Sequence, residues 1–117
     1  MSKIVIEANG RTFEATLRDC AATRALLKRL PATYEMSELN GNEKYVYLNE
    51  SLPVQETAPK TIQEGDLMLF GSDCLVIFYK SFSTSYRYTV LGRIDQTSGL
   101  AKALGAGSAR LNFRLAQ

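Results

Sequence analysis

The amino-acid sequence predicts a mainly β domain, a small closed antiparallel barrel with two short helices set against it. Three observations predict this class. At least seven short segments read as strands, most of them alternating apolar and polar residues with period two. An Asn-Gly pair joins the first two. The run "LMLFGSDCLVIFYK" is apolar on both faces, as in strands covered on two sides. Closing so many short strands into a barrel leaves no unpaired edge.

A chain of 117 residues lies in the commonest single-domain range, so residues 1–117 are read as one unit. Hydrophobic residues make up 45% and charged residues 22%, which argues against disorder and against membrane insertion. The longest apolar-rich run, Leu67 to Tyr79, is broken by Gly71, Ser72 and Asp73, short of the roughly 18 residues a membrane helix needs. The opening "MSKIVIEANG" enters strand pattern without an export signal, so a cytoplasmic location is expected.

In the first hairpin, Asn9-Gly10 supplies the positive φ angles of a two-residue turn, which sets Ile6 opposite Phe13 and Ile4 opposite Ala15. Ile4, Ile6, Phe13, Ala15 and Leu17 then share the buried face. "DCAATRALLKRLP" predicts a helix capped by Asp19, with an apolar stripe of Ala22, Leu26, Leu27 and Leu30 and an end marked by Pro31. "ATYEMSEL" and "EKYVYL" are strands around an "NGN" turn, the second with Tyr45 and Tyr47 on one face and Val46 and Leu48 on the other. Residues 49–66 hold two prolines and little periodicity and predict a long surface loop. "LMLFGSDCLVIFYK" gives two strands around a Gly-Ser-Asp turn, placed in the middle of a barrel or under a helix. "TSGLAKALGAG" predicts a short helix capped by Thr97 or Ser98 and stopped by Gly105, and "ARLNFRL" a closing strand with Leu111, Phe113 and Leu115 on one face.

Charge and composition exclude several functions. Fourteen Lys and Arg against twelve Asp and Glu give a net charge of +2 spread along the chain, without the basic stripe of a nucleic-acid binder. The local cluster Arg18, Arg24, Lys28 and Arg29 reads as a solvated helix face. Histidine is absent and the two cysteines, Cys20 and Cys74, match no metal spacing, so neither a metal site nor a cofactor is expected. The missing histidine also removes every Ser-His and Cys-His nucleophile pair. Cys20 at a helix start reads as a small buried residue.

The stretch "SFSTSYRYTVLGRID", residues 81–95, carries the candidate site. Read as strand, it sets Phe82, Thr84, Tyr86, Tyr88 and Val90 on one face and Ser81, Ser83, Ser85 and Arg87 on the other. These rings either pack in the core or, at Phe82 and Tyr86, line a cavity mouth, where rings supply contact area and hydroxyls supply orientation. Arg93 follows Gly92, and a glycine inside a strand marks a bulge or a close backbone approach. Two readings of Arg93 stand: it pairs with Asp95 or another surface carboxylate, or it points from a pocket wall at a carbonyl or carboxylate. "NGNEKY" offers Asn42, Glu43 and Tyr45 to the same pocket, although turn polarity also accounts for them.

Taken together, "NGNEKYVYL", "EGDLMLFGSDCLVIFYKSF", "YTVLGRID" and "GLAKALG" resemble the small prokaryotic cyclophilin-like proteins, in order and over nearly the whole chain. The resemblance implies a closed, eight-stranded antiparallel barrel with helices covering its ends. True cyclophilins are prolyl isomerases with a hydrophobic proline pocket and an arginine bonded to the peptide carbonyl. Their Phe-His-Arg motif, their Gln-Gly-Gly-Asp segment and their Trp and His have no counterpart here, so no catalytic residue carries over. The leading expectation is therefore a binding module rather than an enzyme, with a structural or partner-binding domain that takes no small ligand as a further reading. The binding module would hold a small molecule or short peptide in a groove lined by Tyr45, Tyr47, Phe82 and Tyr86, with Arg93, Glu43 and Met68 contributing. A weak prolyl isomerase using Arg93 as the carbonyl donor, beside Phe82, Met68 or Tyr86, is the alternative. Nucleic acid and membrane are not expected partners.

Overall fold

The computed structural model describes residues 1–117. Its strands are β1 (Ser2–Ala8), β2 (Arg11–Leu17), β3 (Ala32–Leu39), β4 (Glu43–Tyr47), β5 (Thr61–Ile62), β6 (Asp66–Phe70), β7 (Cys74–Phe78), β8 (Phe82–Ser83), β9 (Thr89–Ile94) and β10 (Ala109–Leu115). Helices α1 (Ala21–Leu27) and α2 (Leu100–Leu104) complete the chain. Eight strands close an antiparallel barrel in the order β1-β10-β3-β4-β7-β6-β9-β2, and β5 pairs with β8 as a separate two-stranded strap.

The first hairpin has the predicted register, Ile4 opposite Ala15 and Ile6 opposite Phe13, turned by Asn9 and Gly10 at φ 51° and 78°. Its apolar face joins the inward residues of the other strands, among them Leu67, Leu69, Leu75, Ile77, Leu91, Leu111 and Phe113, in one core. Leu26 of α1 and Leu100 and Leu104 of α2 pack into that same core.

Both helix starts differ from expectation. The N-cap of α1 is Cys20, whose backbone N–H donates to the Thr23 hydroxyl, while Asp19 instead accepts from Arg24. Thr23 competes successfully because its short side chain returns its own proton to the Arg18 and Cys20 carbonyls. The N-cap of α2 is Gly99 at φ 80°, with the Arg11 guanidinium lying where a β-carbon would sit. Gly105 ends α2 as predicted.

The two-faced strands β6 and β7 are covered outside the barrel by the strap rather than by a helix. Ile62, Met68, Cys74, Val76, Phe78 and Tyr88 form a second apolar cluster there, with Tyr45, Phe82 and Val90 against it. The loop predicted over residues 49–66 thus carries a strand and buries Leu52 and Ile62. The stretch 81–95 is likewise two strands, β8 and β9, separated by irregular chain at Thr84–Arg87, after which Tyr88 bridges to Thr57. In β9 the register against β6 jumps from Leu67 opposite Gly92 to Met68 opposite Val90, a bulge at Leu91. A β-carbon on Gly92 would stand 2.2 Å from the Thr16 carbonyl oxygen, so backbone approach and bulge occur together.

Candidate functional site

The alternation of β4 builds one wall of a groove on the barrel's outer surface. Lys44 and Val46 stand opposite Ile77 and Leu75, which point into the barrel, whereas Glu43, Tyr45 and Tyr47 stand opposite the outward Phe78, Val76 and Cys74. The facing wall is the strap and the irregular chain after it, from Phe82 to Tyr86, together with Tyr88, and Phe70 of β6. Between them lies a cavity of about 490 Å³. Its rings interlock: Phe70 meets Tyr86 at 5.9 Å and Tyr88 at 5.7 Å between centroids, and Tyr45 meets Tyr47 edge-on at 5.9 Å. Seven large apolar side chains are exposed on the whole molecule, and four of them, Leu39, Tyr47, Phe70 and Tyr86, line this groove. Apolar exposure is therefore concentrated at one place, as at a binding surface.

At one end of the groove Glu43 is only 9% exposed. Burial, and then the charge of Glu38, push its carboxyl up to about 7, with no hydrogen bond or cation acting against them. The adjacent Lys44 does not relieve it. Lys44 is wholly buried, and its ammonium donates to Glu38 Oε1 and to the Gly105 and Gly107 carbonyls, which uses all three protons. Glu38 also accepts from the Tyr79 hydroxyl and the Gly41 N–H, so these bonds hold its carboxyl below the usual range even though burial opposes them. Asn42, beside Glu43 in the groove lining, has a buried Oδ1 with no hydrogen-bond partner. Burial pushes the Cys74 thiol up to about 11, with Asp73 and Glu43 adding to it, so this sulfur stays protonated near neutral pH.

Five of the seven predicted site residues, Glu43, Tyr45, Tyr47, Phe82 and Tyr86, line this one cavity. The other two do not. Arg93 and Met68 line a separate shallow depression with Asp66 and Gly92, and that depression shares no lining residue with the aromatic groove. Arg93 Nε donates to Asp66 Oδ1, its cross-strand neighbour, which holds the guanidinium on β6 and β9. Its partner is Asp66 and not Asp95, because Asp95 is engaged by Lys3 and Thr16. Met68 is buried beneath the strap in the second cluster. Sequence reasoning missed Phe70, Cys74 and Leu39 as lining residues. Phe70 and Cys74 are paired across the β6–β7 hairpin, and only the knowledge that this face is outward distinguishes them from core.

The groove offers apolar ring area, the nearly buried Glu43 carboxyl and tyrosine hydroxyls; no cationic side chain is among its lining residues, and no hydrogen bond joins the Cys74 thiol to Glu43. No group of three or more Cys, Asp or Glu is placed to hold a metal ion, and no helix is long and apolar enough to cross a membrane.

A closed eight-stranded antiparallel barrel with two short helices defines a small β-barrel protein. The chain belongs to the cyclophilin-like family, whose model matches residues 6–114. The solution structure of the hypothetical protein AF2241 from Archaeoglobus fulgidus is similar to it, with a TM-score of 0.62 and 18% sequence identity over 98% of this chain and 95% of that one. At that identity the likeness is one of fold. No curated protein matches the chain.

Proposed function

We propose that this protein is a binding module that holds a small molecule or a short peptide in the aromatic groove between β4 and the strap. The observation that carries the reading is the coincidence of a cavity of about 490 Å³ with most of the molecule's exposed large apolar side chains. Its volume lies within the range of ligand pockets, and rings with few fixed polar groups are what such pockets use. The alternative, a prolyl isomerase with Arg93 as carbonyl donor, needs that guanidinium beside the rings, whereas Arg93 lies in the other depression, bonded to Asp66.

A screen of aromatic fragments and short Xaa-Pro peptides by amide chemical-shift perturbation tests the reading. Shifts clustered at Glu43–Tyr47, Phe70 to Val76 and Phe82–Tyr88 are expected, and Tyr86→Ala should weaken them. Shifts confined to other surfaces, or absent throughout, would overturn it.

A further inference from the structure

We infer that the groove selects a ligand carrying an ammonium group on an apolar body, seated with its N–H donors on Glu43 and its body among the tyrosine rings. This rests on the groove being a binding site and names the chemistry it would take.

The argument is one of unmatched polarity. Glu43 is more than nine-tenths buried, lines the cavity and accepts no hydrogen bond from the protein. A buried carboxylate without a partner is costly, so such groups are normally paired. The Oδ1 of Asn42, one residue away, is also without a donor but is closed off from the open space of the groove, so the Glu43 carboxyl is the acceptor a ligand meets. No Lys or Arg lines the groove, and the nearest lysine in sequence, Lys44, points into the barrel with its donors saturated. An anionic ligand would meet Glu43 with nothing to offset the repulsion, and a neutral apolar one would leave the carboxyl unsatisfied. An ammonium supplies charge and three donors, and the tyrosine rings of the lining can add cation–π attraction.

The groups facing Glu43 leave it the one that titrates near neutrality. From β3, Glu38 is held ionised by its hydrogen bonds. Beside it, the Cys74 thiol and the Tyr79 phenol are pushed up to about 11 and about 12, the first by burial and the second by burial and its bond to Glu38. Burial also raises Tyr88. An alkylammonium keeps its charge across this range.

The test is a matched titration with benzylamine, benzyl alcohol and benzoate, followed by amide shifts in the wild type and in Glu43→Gln, whose fold is checked by its melting temperature. The expected result is that benzylamine binds about tenfold to a hundredfold more tightly than the alcohol, the range of one charge-assisted hydrogen bond. Benzoate should bind weakest, the amine's advantage should grow as pH rises from 6 to 8 (roughly, around the Glu43 midpoint), and Glu43→Gln should erase it. Equal binding of amine and alcohol, or an amine preference that survives Glu43→Gln, would overturn the inference while leaving the groove a binding site. No amine binding at all would overturn it too, and the fragment screen decides the groove independently. A lysine side chain and a free amine present the same group. Nα-acetyl-lysine methylamide binding more tightly than benzylamine would assign the site to a peptide, and the reverse order to a small amine.

Discussion

Arg93 Nε and Asp66 Oδ1 lie 2.8 Å apart across directly paired positions of β9 and β6. The second oxygen of Asp66 accepts the Gln63 N–H, so one buried carboxylate ties the strap's approach to the barrel wall. Arg93 is half exposed and Asp66 is not, which makes the pair asymmetric: loss of the arginine leaves a buried carboxylate with a single backbone donor. Arg93→Ala should cost about 1 kcal/mol in denaturant unfolding, below a fully buried pair because solvent screens the guanidinium. Ligand shifts in the aromatic groove should be unchanged in the same variant.

The same relationship predicts the catalytic outcome. Weakening the resonance of an Xaa-Pro amide needs a donor at the carbonyl or nitrogen inside a desolvated pocket. The groove holds no cationic donor. Exchange NMR on a short Xaa-Pro peptide should therefore give equal cis/trans rates with wild type, with Arg93→Ala and with buffer alone. Acceleration by wild type that Arg93→Ala abolishes would restore the isomerase reading.

Glu43 should give the fold a distinctive pH dependence. Its folded-state value of about 7 lies above the ordinary 4.5, so between those values the native state binds the extra proton. By linkage, stability falls as pH rises through this window, and the penalty is complete above about 7. The size is about 3 kcal/mol, from the conversion of the pKa difference to free energy for a buried group. Urea unfolding of Glu43→Gln should lack this component, so the variant should gain on the wild type between pH 5 and pH 8 (roughly, spanning both values).

The strap is held by few side chains. Ile62 is 1% exposed and sits in the outer cluster, opposite Phe82 in the β5–β8 pairing. Ile62→Ala should cost about 2 to 4 kcal/mol if the strap unfolds with the barrel. A smaller loss is expected, with hydrogen exchange accelerated at Thr84, whose N–H donates to the Lys60 carbonyl, and unchanged in β1 and β10.

Two glycines should respond in opposite degree. At Gly92 a β-carbon meets the backbone of β2 at two points, the Thr16 oxygen at 2.2 Å and the Leu17 Cα at 2.8 Å, and neither can move without parting β2 from β9. Gly92→Ala should yield little folded protein. Gly10 has open space around it and only its positive φ to defend, so Gly10→Ala should cost about 1 kcal/mol. Melting temperatures of the two variants compare them directly.

Much of this architecture is legible in the sequence because it is local. Asn9-Gly10 and the alternation on either side specify the hairpin and its register. Gly92 before Arg93 signals the crowding and the bulge beside it. What is not legible is which side of a wall is which. Period two groups Glu43 with Tyr45 and Tyr47, but it cannot say that their face is outward, since the partner that decides it, β7, is apolar on both faces. Arg93 was ambiguous for a related reason: its partner Asp66 is far away in sequence and becomes a neighbour only when β6 pairs with β9. The break in the stretch 81–95 escaped the pattern because serines, threonines and tyrosines suit strand and irregular chain alike.

Glu43 and Lys44 are consecutive residues of opposite sign, sent to opposite faces of one strand. The cation is neutralised on the inside by three acceptors, while the anion outside has none. A strand one residue thick thus acts as an insulating partition across which charge is separated. On the groove side the Glu43 carboxyl, with the charge of Glu38 behind it, faces a lining that holds no cation, so that Glu43→Lys would reverse the sign of this wall.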